Sequence, residues 1–97
     1  MLDNDKELIR NVYDFELLTI LMEECAEVIQ AASKIQRFGW DSEWKGETGR
    51  EILERELGDL QCMVDLLHEG DHVSFTAMDE HASNKHDKLR QWSNLIE

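Results

Sequence analysis

The stretch DFELLTILMEECAEVIQAASKIQRF, residues 14–38, decides the fold. It holds neither proline nor glycine. On a helical projection at 100° per residue, Leu17, Leu18, Leu21, Cys25, Val28, Ile29, Ala32 and Ile35 form a broad apolar arc. Glu24 and Glu27 stand three residues apart and point the same way, with Ile20, Ala31 and Phe38 between or beside them. They do not sit on a plain solvated face. Lys34 projects along the line of Glu27, two turns further on, and Glu23 lies on the more polar side. Upstream, Leu8, Ile9, Val12 and Tyr13 read either as a short leading helix or as an extension of this one.

Downstream, the punctuation is Gly39, the WDSEWKGETG segment and the EGDH segment around Gly70, which leaves helices over about 48–69 and 74–95. Thr48 followed by Glu51 fits a capping box for the second helix, and Ser74 suits the N-cap of the third. In the third, Phe75, Met78, Ala82, Leu89, Trp92 and Ile96 fall on one stripe. No window alternates with period two, so the expected class is all-α. The expectation is a single domain over 1–97, an antiparallel bundle of three long helices. A second copy completes it, because one short chain cannot cover every apolar face.

Length and charge narrow the possibilities further. Ninety-seven residues suffice for one domain with a marginal core. The net charge of -12, with no run of four basic residues, argues against nucleic acid and against an anionic membrane surface as partners. The start MLDNDKELIR is too polar for a signal peptide and no stretch approaches a membrane span, so a soluble, cytoplasmic protein is expected. Cys25 and Cys62 lie inside helical patterns and are expected to be reduced and buried. His68, His72, His81 and His86 show no paired ligand spacing and read as surface residues.

The second helix repeats the anomaly of the first. Leu53, Leu57, Leu60, Val64 and Leu67 make one stripe; Ile52, Glu56, Asp59, Met63 and Leu66 make the next, with Glu56 and Asp59 in an otherwise apolar row. Half-buried carboxylates cost several kcal/mol each, roughly, unless paired or bound to a cation. Antiparallel packing of the two helices would gather Glu24, Glu27, Glu56 and Asp59 in one place, where only a divalent ion relieves their repulsion. An all-oxygen donor set selects Mg²⁺, or Mn²⁺, over Zn²⁺ and suits a substrate carrying phosphates. Lys85 sits inside the third helix's stripe and Lys88 on its flank; either could bind phosphate, or simply extend to solvent. Phe38, Trp40 and Trp44 surround the first loop, where an aromatic face can pack or stack on a base.

The segments E-E-C-A-E (Glu23 to Glu27) and E-L-G-D (Glu56 to Asp59) resemble the paired motif of the all-α nucleoside triphosphate pyrophosphohydrolases, the MazG-like superfamily. The resemblance spans about 14–92. S-K-I-Q-R-F-G (Ser33 to Gly39) and L-E-R-E-L-G-D-L (Leu53 to Leu60) are similar to its small single-domain, often phage-encoded, members. It implies Mg²⁺-dependent cleavage of a nucleoside triphosphate between the α and β phosphates, giving the monophosphate and pyrophosphate. By position, Glu24, Glu27, Glu56 and Asp59 would hold metal, one of them also orienting water. Lys88, in H-D-K-L-R, best matches the family's last-helix basic residue; Lys85 has the better stripe position, and Lys34 and Trp40 are further substrate-binding candidates. The family works as homodimers or homotetramers. The competing reading is a non-enzymatic acidic helical module, antitoxin-like or DNA-mimicking, but such a mimic would display its acids outward. A di-iron bundle needs E-x-x-H on helices, and the nearest match, Glu69 to His72, falls in a loop.

Overall fold

With no proline to interrupt it, the first helix runs further than its apolar arc. In the computed structural model, which describes residues 2–96 and their side chains from Val12 onward, α1 spans Leu2–Phe38. The leading segment is thus an extension of the first helix. α1 ends where the Gly39 amide donates to the Ile35 carbonyl at 2.8 Å.

A small hairpin follows, which period-two reasoning did not anticipate. Strands β1 (Glu43–Trp44) and β2 (Glu47–Thr48) pair antiparallel, Trp44 opposite Glu47. Lys45 and Gly46 make the turn with φ of 53° and 85°, the doubly positive geometry that matches strand twist and favours glycine at the second position. Helix α2 (Gly49–Glu69) starts directly after β2. Its capping box is as expected: the Thr48 amide donates to Glu51 Oε1 at 3.1 Å and the Glu51 amide to Thr48 Oγ1 at 3.2 Å.

Helices α1 and α2 run antiparallel, because Gly49 meets Ile35 while Glu56, further along α2, meets Glu27, further back along α1. A Cβ at Gly49 would lie 2.9 Å from Ile35 Cγ1, so only glycine allows this approach. The core holds Leu17, Ala31, Ile35 and Met63. These define the inward rows of both helices, and they are the rows that carry the acids. Leu18, Cys25, Ile29 and Ala32, part of the same sequence arc, lie exposed on the single chain. Cys25 and Cys62 are free, as expected, but exposed rather than buried, because that side of each helix faces away from the α1–α2 seam.

The chain divides into two compact units, Met1–Asp65 and Leu66–Glu97. In the second, α3 covers Phe75–Trp92. Ser74 caps its start, accepting from the Ala77 amide at 3.2 Å. The helix stops short of Leu95 because Ser93 turns extended and its Oγ donates to the Leu89 carbonyl at 2.6 Å. Phe75 stacks on His68 with ring centroids 3.7 Å apart. His68, His72, His81 and His86 are exposed, as the sequence suggested. Among the described residues, no helix is long and apolar enough to cross a membrane.

Candidate metal centre

The i, i+3 spacing on each helix, combined with antiparallel packing, brings two pairs of acids face to face. One oxygen each from Glu24, Glu27, Glu56 and Asp59 lies within 4.8 Å of the others. Oxygens sharing one Mg²⁺ with bonds of ~2.1 Å stand at most about 4.2 Å apart, so a modest contraction would close the set on an ion.

Burial separates this cluster from an ordinary acidic surface. Glu56 is only 9% exposed and Glu24 is half-buried. Glu24 Oε2 and Glu56 Oε2 are both buried without a hydrogen-bond partner. Such orphaned oxygens are costly in a folded protein and call for a donor or a cation. The hydrogen bond with Glu56 and the charges of Glu24 and Glu56 push the Glu27 carboxyl up to about 7. A proton on Glu27 therefore relieves the cluster when no cation does so.

A polar cavity of about 240 Å³ adjoins the acids, lined by Glu27, Gln30, Lys34, Trp44, Arg55 and Glu56 among others. A larger one of about 410 Å³ shares Lys34, Trp44 and Ile52 with it and adds Arg37 and Phe38. Lys34 Nζ lies 4.2 Å from the Trp44 ring centroid, a cation–π contact that holds both at the junction. Arg55 is anchored by Glu47, whose charge and hydrogen bond raise its pKa further.

The four acids expected to meet do meet, and Lys34 stands beside them. Trp40 lines neither cavity; its ring lies 5.2 Å from the Arg50 guanidinium instead, and Trp44 takes the position at the cavities. Lys85 and Lys88 are exposed on α3 in the second unit. Sequence reasoning missed Arg55, since one residue before Glu56 projects about 100° away from it. The signal would have been its partner Glu47, eight residues earlier, which only the hairpin brings into range. No family model, curated protein or solved structure matches the chain.

Proposed function

We propose that this protein is a nucleoside triphosphate pyrophosphohydrolase that uses Mg²⁺ or Mn²⁺. The observation that carries the reading is the convergence of four carboxylates, two of which, Glu24 and Glu56, carry a buried oxygen without a hydrogen-bond partner, beside a cavity walled by Lys34 and Arg55. Glu24, Glu27, Glu56 and Asp59 would hold the ion. When bound, it supplies positive charge to the phosphate oxygens as the P–O bond breaks. Lys34, released from the Trp44 ring, would meet the phosphates, and Trp44, rather than Trp40, would be the aromatic wall for the base in the larger cavity. Water adds to phosphorus, the anhydride bond breaks, pyrophosphate leaves, and the proton passes to a carboxylate; Glu27 and Asp59, the exposed pair, are open to that water.

The test is a screen of ribo- and deoxyribonucleoside triphosphates for pyrophosphate release with Mg²⁺. At least one is expected to be cleaved to its monophosphate. If all remain intact at micromolar protein, the acidic binding module becomes the better reading.

The reading includes self-association. Phe15, Leu18, Met22, Cys25 and Ile29 follow a 3-4-3-4 spacing on α1 and are all exposed, Phe15 at 74% and Ile29 at 68%. The flanking Thr19, Ala26 and Ser33 are small and uncharged. This is an apolar stripe, with Asp14 at its edge, on which a second copy can pack. Light scattering should give a homodimer or homotetramer for the native protein and a single chain for Ile29→Glu. A native protein that stays monomeric at high micromolar concentration defeats this part.

A further inference from the structure

Arg55 stands between two carboxylates of different kinds. Its Nη1 donates to Glu47 Oε1 at 2.6 Å, and its Nη2 lies 3.4 Å from Glu56 Oε1. Glu47 belongs to β2 and is not one of the four clustered acids. Glu56 thus has one oxygen met by the guanidinium and the other, Oε2, buried without a donor. The terminal torsion of a glutamate is broad, so a carboxylate presents one oxygen in a fixed direction only when the other is anchored. Hydrogen bonds behind a metal ligand commonly supply that anchor. A planar guanidinium can span two carboxylates at once, which a lysine ammonium, a single point charge, does poorly.

We propose that Arg55 is a positioning residue: held by Glu47 of the hairpin, it fixes Glu56 Oε1 so that Oε2 is presented to a divalent cation. The loop between α1 and α2 thereby sets the affinity of the ion site from outside it. This rests on the cation reading above and adds a role for a residue outside the four-carboxylate donor set.

Charge and positioning predict opposite signs here. A guanidinium beside four carboxylates repels an incoming divalent ion, so as a mere counter-charge its removal would tighten binding. Loss of an anchor weakens it. Mn²⁺ is titrated calorimetrically into the full-length native protein, Arg55→Lys, Arg55→Met and Glu47→Gln, with helix content followed by circular dichroism. The Arg55–Glu47 pair is half-exposed, so its loss is expected to leave the helices intact. All three variants should bind Mn²⁺ more weakly, by about 10- to 100-fold, Arg55→Lys included. Unchanged affinity in Arg55→Lys with tighter binding in Arg55→Met overturns the proposal and leaves the cation reading standing. Unchanged affinity in Glu47→Gln overturns the role of the hairpin. A native protein that takes up no Mn²⁺ defeats the cation reading itself.

Discussion

Glu27→Gln is expected to abolish pyrophosphate release and, in the same protein, to raise the melting temperature measured in a chelator at pH 8, where Glu27 of the native protein is ionised. Both effects follow from the crowding of Glu24, Glu27, Glu56 and Asp59. Above pH 7 the neutral amide removes one of the mutually repelling charges and offers an N–H to the neighbouring Glu56 carboxylate. The metal-free fold gains. On the proposed reading the same change would delete a charged donor to the cation, and loss of one electrostatic stabiliser of a transition state costs about 10²–10³-fold in rate. Asp59→Asn should likewise lose activity with its helix content preserved. A Glu27→Gln protein that melts lower than the native one in chelator, or that turns over triphosphate normally, contradicts the site. Opposite responses of function and stability to one substitution mark a group retained for chemistry rather than for folding.

The second large effect is the exchange of proton for metal. The Glu27 carboxyl is raised to about 7 in the fold, from an ordinary value of 4.5. A carboxyl with a raised pKa stabilises the native state by holding its proton. Its contribution is complete below about 4.5 and is lost as pH climbs through about 7. Glu51 acts in the other direction: its bonds from Thr48 lower its pKa, so its contribution is present above 4.5 and lost as acid titrates it. Chelator-treated protein should therefore lose stability between pH 5 and pH 8. Mg²⁺ needs the ionised carboxylates, so it should restore stability most at pH 8 and release protons on binding near pH 6. At a hundred times its Kd the ion adds about 2.7 kcal/mol, and about 4–8 °C accompanies each kcal/mol in a domain of this size. Equal Mg²⁺ shifts at pH 5 and pH 8, or none at millimolar Mg²⁺, contradict the proposed centre.

The acid set was legible in the sequence because a helix turns a spacing of three into a direction, and the same spacing recurred on two helices joined by a short loop. The caps at Thr48 and Ser74 were legible for a similar reason, being local hydrogen bonds between near neighbours. What depended on the loop was not. Strands of two residues carry no periodicity, and Lys45-Gly46 looks the same in an irregular loop as in a hairpin turn. Arg55 owes its place to that hairpin and so escaped notice, while Trp44, read from the sequence as one of three loop aromatics, owes to it the position at the cavities that Trp40 was expected to take. The apolar arc of α1 misled in another way: a projection tells which residues share a side, but not which part of a wide arc meets the neighbouring helix. Leu17 and Ile35 turned inward while Ile29 and Cys25 turned out.

The clustered acids, Lys34, Arg55 and both cavities all precede Leu66. On the proposed reading, capture of the ion would thus be encoded in a contiguous cassette. Discrimination among nucleotides that depends on later parts of the chain would then evolve as a separate variable, so relatives differing mainly there would keep the same appetite for metal.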